Sequence, residues 1–187
     1  MKTLVKNIRA IDPALGLDEV CDILIEGEQI VEVGQDLSAD GAEVLDRTGC
    51  IVVPGLVDVH VHLRDPGQEY KETIETGTAA AAHGGFTGIC SMPNTTPTTD
   101  NAATIDYVLD RAQSAGHCRV YPSGACTMGL KGESLAEIGD MAAHGAVAFT
   151  DDGRGVQSAG MMRRVMDYAK MFGCVVMSHC QDEELVG

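Results

Sequence analysis

An α/β fold is predicted, with a short β-rich segment followed by a parallel sheet and its helices, and three observations predict it. Apolar runs of strand length recur at 56–62, 86–92, 118–125, 146–150 and 174–179. Alanine-rich or amphipathic stretches alternate with them, at roughly 70–83, 100–115, 133–144 and 158–172. Gly84-Gly85, Gly116, Gly145 and Gly173 follow those stretches as helix stop signals. Strands and helices that alternate across short loops imply a parallel sheet with right-handed crossovers.

Residues 1–54 read as β. Asp22-Ile23-Leu24-Ile25-Glu26 and Gln29-Ile30-Val31-Glu32-Val33 flank Gly27-Glu28, a two-residue hairpin signal. Glu43-Val44-Leu45 and Ile51-Val52-Val53 add two short strands. Four or five such strands make too small a core to stand alone and need a partner surface. The run Ile51-Val52-Val53-Pro54-Gly55-Leu56-Val57 reads as a buried strand. The repeating pattern occupies 55–187. Its five strands and four helices fit either a small open sheet or part of a closed barrel. An eight-unit barrel typically needs about 250 residues. Only 187 − 54 = 133 residues follow Pro54, about half of that. The sequence stops at Glu184-Leu185-Val186-Gly187, where a helix is due after the fifth strand, so a partial chain is expected.

Composition narrows the function classes. Thirteen Lys and Arg against 28 Asp and Glu give a net charge of −15, which argues against nucleic acid and anionic membranes as partners. An anionic substrate would have to be drawn in by local positive charge, from a metal or an arginine. Tryptophan is absent and aromatics are 4%, so the core is built from Val, Ile, Leu, Ala and Met. The seven cysteines include no CxxC spacing, which indicates neither a disulfide framework nor a zinc knuckle. No apolar signal segment opens the chain, and no apolar run approaches the ~20 residues that span a bilayer. A soluble, cytoplasmic protein is expected.

The chemistry concentrates at strand ends. In Asp58-Val59-His60-Val61-His62, residues two apart share a face, so His60 and His62 project together and can act as a metal-ligand pair. The plainer alternative is two histidines in a solvated loop. His179 ends the apolar Cys174-Val175-Val176-Met177-Ser178, where core histidine and metal ligand compete on local grounds. Cys180 is expected on the opposite face and is left out of the site. His83, His117 and His144 lie in or just after the last turn of a helix, where the macrodipole favours them, and are read as structural. Phe149-Thr150-Asp151-Asp152-Gly153 ends the fourth strand, and spacing cannot choose between its two aspartates. In parallel α/β folds the C-terminal strand ends form the catalytic rim, and these groups converge there from three strands. Imidazole and carboxylate ligands suit zinc, with manganese, cobalt or iron as alternatives. Such a centre makes amide hydrolysis accessible near neutral pH.

Pro54-Gly55-Leu56-Val57-Asp58-Val59-His60-Val61-His62 resembles the opening signature of the amidohydrolase superfamily. Leu63-Arg64-Asp65-Pro66-Gly67, Ser91-Met92-Pro93-Asn94-Thr95-Thr96-Pro97, Phe149-Thr150-Asp151-Asp152-Gly153 and Ser178-His179-Cys180-Gln181-Asp182 resemble bacterial dihydroorotases of the long, class I type. The resemblance runs the length of the chain and implies a (β/α)8 (TIM) barrel. Residues 1–54 would be the N-terminal part of a β-sandwich, and 55–187 the first five strands and four helices of the barrel. It implies interconversion of N-carbamoyl-L-aspartate and L-dihydroorotate in pyrimidine synthesis, with two zinc ions per complete subunit. His60 and His62 would bind one zinc, Asp152 would bridge both, and His179 would bind the second. Arg64 and Asn94 would bind the substrate carboxylate. Chemically, a guanidinium fork and a directed amide donor suit that task. Left to themselves, Arg64 is more often a surface ion pair and Asn94 a turn residue. The remaining histidine ligand and the general acid/base aspartate would lie beyond Gly187, so residues 1–187 alone are expected to be inactive. Related cyclic amidases such as dihydropyrimidinase and hydantoinase bridge their metals with a carboxylated lysine. No lysine occurs from Gly145 to Gly153, which disfavours them. A homodimer and association with aspartate carbamoyltransferase are the macromolecular partners implied. The competing readings are a non-catalytic dihydroorotase-like scaffold for that transferase, and allantoinase.

Overall fold

The computed structural model describes residues 1–186. Contacts divide the chain into two compact units, Met1–Pro54 and Gly55–Gly187.

The first unit is a five-stranded sheet built around β1 (Lys2–Asp12), the longest strand. β2 (Leu17–Glu26) runs antiparallel to β1, and β3 (Gln29–Gly34) antiparallel to β2, with Glu26 opposite Gln29 across the two-residue turn. β4 (Glu43–Asp46) and β5 (Ile51–Val52) both pair with β1 in parallel. No single apolar run announces β1, because Lys2, Lys6, Asn7 and Arg9 interrupt it. Only alternate positions turn inward, with Leu4, Ile8 and Ala10 buried. The register shifts between Val5 and Ile8. There the Asn7 N–H donates to the buried Asp22 carboxylate (3.0 Å), as does the Leu37 N–H (3.1 Å), with Lys6 Nζ at 3.5 Å. Burial pushes the Asp22 carboxyl up, but these donors outweigh it and hold the group below its ordinary range.

The second unit is a curled, all-parallel sheet in the order β10-β9-β8-β7-β6, the half-barrel of a partial (β/α)8 fold. Its strands are β6 (Leu56–Val61), β7 (Phe86–Ser91), β8 (Arg119–Gly124), β9 (Ala148–Phe149) and β10 (Val175–Val176). Sequential strand order is what repeated right-handed crossovers produce. The helices are α1 (Ile74–His83), α2 (Ala102–Ala115), α3 (Ile138–Ala143), α4 (Ala159–Lys170) and the short α5 (Glu183–Val186). Thr73, Asn101 and Ser158 cap α1, α2 and α4 by accepting from the backbone N–H three residues on. Met161, Val165 and Ala169, four apart, give α4 its buried stripe. They pack with Ile105, Ile138, Met141 and the fully buried Phe149. A second cluster, Leu63, Ile74, Ile89, Val108 and Val120, ties α1 and α2 to β7 and β8. Each such aliphatic side chain contributes about 1.5–3 kcal/mol by leaving water.

Three expectations change. The helix expected at 133–144 shrinks to α3, because the chain before it is held extended. Thr127 bridges Leu135, and the N–H groups of Met128 and Ala136 donate to the carbonyls of Ser134 and Cys126. The run 51–57 is not one buried strand. Pro54 and Gly55 split it between β5 and β6, with Ile51 and Val53 exposed in the first unit and Leu56 and Val57 exposed in the second, where among the described residues β6 pairs only with β7. The strand expected at 174–179 is ordered as a ladder only over Val175–Val176. Among the described residues no helix is long and apolar enough to cross a membrane.

Candidate metal centre

Asp152 is the hub of the site. It lies three residues past β9, and its side chain is 5% exposed although it carries a carboxylate. Three imidazoles surround it. His60 Nε2 lies 3.3 Å from Oδ1, His62 Nε2 3.4 Å from Oδ2, and His179 Nδ1 3.1 Å from Oδ1. The expected shared face is real, since the His60 and His62 rings stand edge to face with centroids 5.2 Å apart. One ligand atom from each of His60, His62 and Asp152 lies within 4.8 Å of the other two.

That donor set fits a divalent cation. Tetrahedral bonds of about 2.0–2.1 Å would set neighbouring donors about 3.3–3.4 Å apart. His60 Nε2 and His62 Nε2 stand 3.3 and 3.4 Å from separate oxygens of Asp152, a spacing close to that of neighbouring ligands. The hydrogen bonds around the site also orient the imidazole rings. Asn94 donates from Nδ2 to Asp152 Oδ2 (3.2 Å), which turns its carbonyl Oδ1 toward His62 Nδ1 (2.9 Å). An amide oxygen only accepts, so His62 Nδ1 is the donor in this contact and Nε2 is the nitrogen turned toward Asp152. On His179 the same logic runs through Gln181. Gln181 Nε2 donates to Glu183 (2.9 Å), its Oε1 accepts from His179 Nε2 (3.2 Å), and Nδ1 is the nitrogen turned toward Asp152 (3.1 Å). Partners of this kind fix ring orientation and basicity at metal sites.

Asp151 does something else. It is 2% exposed and turned away from the histidines. It accepts from the N–H groups of Cys126 (2.8 Å) and Thr127 (3.0 Å) and from the Thr127 hydroxyl. It therefore locks the loop after β8 to the end of β9. Burial pushes its carboxyl above the ordinary value, although those donors pull it down. Sequence spacing could not separate two adjacent carboxylates. Their opposite directions beyond the end of β9 do.

Arg64 follows His62 by two residues, in a left-handed backbone conformation (φ 61°), and is partly buried. Among the described residues its guanidinium makes no hydrogen bond or ion pair. The next residue, Asp65, is 2% exposed, accepts from the Tyr107 hydroxyl (2.8 Å), and so anchors this loop against α2. Cys180 is exposed and outside the centre, but it sits in a loop, so strand alternation is not what turns it away. His144 pairs with Asp106 at 2.9 Å, away from the metal centre. Gln181 has no recognisable signal of its own, since its role depends on partners on both sides.

The dihydro-orotase-like family model matches residues 49–187. The chain is 57% identical over its full length to the dihydroorotase of Syntrophotalea carbinolica and 53% identical to that of Geobacter sulfurreducens. It spans 44% of the length of each. Among solved structures it resembles the L-hydantoinase of Arthrobacter aurescens, at 25% identity and a TM-score of 0.85 over 98% of this chain and 41% of that one. The dihydropyrimidinase of Brevibacillus agri shares the fold, at 24% identity and a TM-score of 0.80, over 99% and 41%. A histidine pair closing the first strand of a parallel half-barrel, facing an aspartate past the fourth, is thus carried by a chain that belongs to the dihydro-orotase-like family.

Proposed function

We propose that the chain is the N-terminal portion of a zinc-dependent dihydroorotase, which interconverts N-carbamoyl-L-aspartate and L-dihydroorotate in pyrimidine synthesis. The observation that carries this reading is the convergence of His60, His62 and His179 on the buried Asp152 within 3.4 Å. His60 and His62 would hold one zinc, Asp152 would bridge to a second, and His179 would hold that second ion. When bound, a divalent cation polarises the amide carbonyl and makes water a nucleophile near neutral pH.

The chain's own residues bind and orient. Arg64, its guanidinium uncommitted, would take the substrate carboxylate in a two-pronged contact. Asn94 holds His62 and Asp152 and has a second amide N–H left for the same carboxylate. Gln181 engages His179 Nε2 and orients the ring with Nδ1 toward Asp152. The general acid/base aspartate and one further histidine ligand would come from residues beyond 187. The first unit would be part of the β-sandwich and the second the first five strands and four helices of the barrel.

Dihydroorotate is favoured over hydantoins and dihydropyrimidines by two facts. The named dihydroorotases are far more similar to this chain than the hydantoinases. The carboxylate among the histidines is an aspartate, and no lysine lies between Gly145 and Gly153. A scaffold without catalysis would be expected to lose metal ligands, and here every ligand position within reach is filled. A cytoplasmic location, a homodimer, and association with an aspartate carbamoyltransferase rest on the family resemblance, and co-purification tests the partners. The central test is metal analysis plus a ring-opening assay on the complete polypeptide encoded by the gene. Zinc and dihydroorotate turnover together support the reading, and absence of both rejects it. Turnover of allantoin in preference to dihydroorotate would reassign the substrate.

A further inference from the structure

Arg64 and Asn94 stand on separate loops, each three residues past its strand, β6 and β7. Among the described residues one residue is bonded to both. The Gln68 N–H donates to the Arg64 carbonyl (2.9 Å), and Gln68 Nε2 donates to the Asn94 carbonyl (3.3 Å). The orientation of the Gln68 amide follows from its neighbours. Lys71 Nζ lies 3.1 Å from Oε1. An ammonium only donates and a backbone carbonyl only accepts, so Oε1 faces Lys71 and Nε2 faces Asn94.

The two residues that Gln68 joins are not held equally. Asn94 is fixed by its own side chain, which contacts His62 Nδ1 and Asp152 Oδ2. Arg64 has no side-chain bond among the described residues, and its φ of 61° is a backbone conformation that side-chain-bearing residues rarely adopt and that surrounding contacts must hold. Those contacts lie on either side of it. Asp65 accepts from the Tyr107 hydroxyl (2.8 Å) and from the Ile74 N–H (3.4 Å), and the Gln68 N–H closes the turn. Further along, the Thr96 N–H donates to the Pro66 carbonyl (3.0 Å). Without the Gln68 side-chain bond, Asn94 would stay on the metal centre while the Arg64–Gln68 turn could shift against it.

We propose that Gln68 is a positioning residue for carboxylate recognition, setting the spacing between the loops that carry Arg64 and Asn94. Two donors on separate loops bind one carboxylate well when their spacing is fixed beforehand, because otherwise binding must itself order the loops. The proposal deepens the functional reading above and rests on it for the role of Arg64 and Asn94.

The test uses orotate, which carries a carboxylate on a ring too stable to hydrolyse, titrated calorimetrically into the complete, metal-loaded polypeptide. Gln68→Met keeps the length of the side chain and its neutral charge but has no donor, and Gln68→Ala removes the side chain. In both, the orotate dissociation constant should rise about fivefold or more, a fraction of what a misplacement of about 1 Å can cost. Bound zinc and the urea midpoint should match the unaltered protein. In turnover, the KM for dihydroorotate should rise by the same factor while kcat stays within about twofold. Orotate affinity within about twofold of the unaltered protein in Gln68→Met overturns the proposal, because a positioning role must show in binding. A loss accompanied by lower zinc content or a lower urea midpoint makes Gln68 a structural tie and overturns it as well, as does an unaltered protein that does not bind orotate. Orotate binding that Gln68→Met weakens, in a protein that does not turn over dihydroorotate, would leave the positioning role standing and reject the enzymatic reading. Turnover with unchanged orotate binding in the variant would do the reverse.

Discussion

Asp151 and Asp152 are neighbours in sequence, and exchanging each should damage a different property. Asp151→Ala removes the acceptor of three buried donors, the N–H groups of Cys126 and Thr127 and the Thr127 hydroxyl. Each stranded donor costs about 1–3 kcal/mol. Burial already makes the Asp151 charge costly, and water can reach part of the vacated space, so the sum is discounted. A loss of about 3–5 kcal/mol remains, in the range seen when one partner of a buried polar network is removed. With a urea dependence of about 2 kcal/mol per M, the midpoint should fall by about 1.5–2.5 M. Asp152→Asn keeps the shape of the side chain but removes the charge facing three imidazoles. It should cost little stability in metal-free buffer. Its effect should appear on adding zinc, where the unaltered protein gains about 2.7 kcal/mol at a hundred times the dissociation constant and the variant gains almost none. Equilibrium urea unfolding by circular dichroism, with zinc and with chelator, reads both effects. A midpoint shift below about 0.5 M for Asp151→Ala (about 1 kcal/mol), or full zinc stabilisation of Asp152→Asn, would refute this division of roles.

Three further outcomes are expected. Asn94→Ala should weaken zinc binding about 10-fold to 100-fold, because His62 loses the partner that fixes its tautomer. Unchanged affinity by competitive chelator titration would restrict Asn94 to substrate contact. Gly67→Ala should cost more than about 2 kcal/mol in thermal or urea unfolding. At φ 90° its new Cβ would fall 1.8 Å from the Thr96 carbonyl oxygen, and a near-neutral result would mean the Arg64 loop is free to move. His144 should titrate above its ordinary 6.5, because the Asp106 carboxylate beside it favours the imidazolium. With the folded value raised, its stabilisation is complete below about 6.5 and fades as pH rises through that raised value. NMR titration should find most of the shift lost in Asp106→Asn, with Asp140 at 3.9 Å supplying the remainder, and a value that does not move would remove Asp106 as the cause.

Periodicity carried the fold a long way. Apolar runs and glycine stops placed β7, β8 and α2 within a few residues, because those elements are buried along one continuous stripe and their ends are set by local caps. It failed where partners override local preference. Glu133–Glu137 would extend a helix on propensity, but the Thr127–Leu135 bridge holds that stretch open. β1 was hidden because only alternate side chains are buried and the outward ones are basic.

For the site, the sequence alone determined which chemistry was available. Imidazoles two apart at a strand end, and carboxylates after a later strand, are local facts of spacing, and a β-strand's two-residue repeat turns spacing into direction. Which of two adjacent aspartates meets the histidines was decided only in three dimensions. So was the gathering of His62 and His179 around that carboxylate. The contacts that decide this join segments from 24 residues apart (Thr127 and Asp151) to 152 − 60 = 92 apart (His60 and Asp152), brought together by the order of strands in the sheet. No local periodicity encodes such distances. They follow from how the buried faces of several elements pack at once.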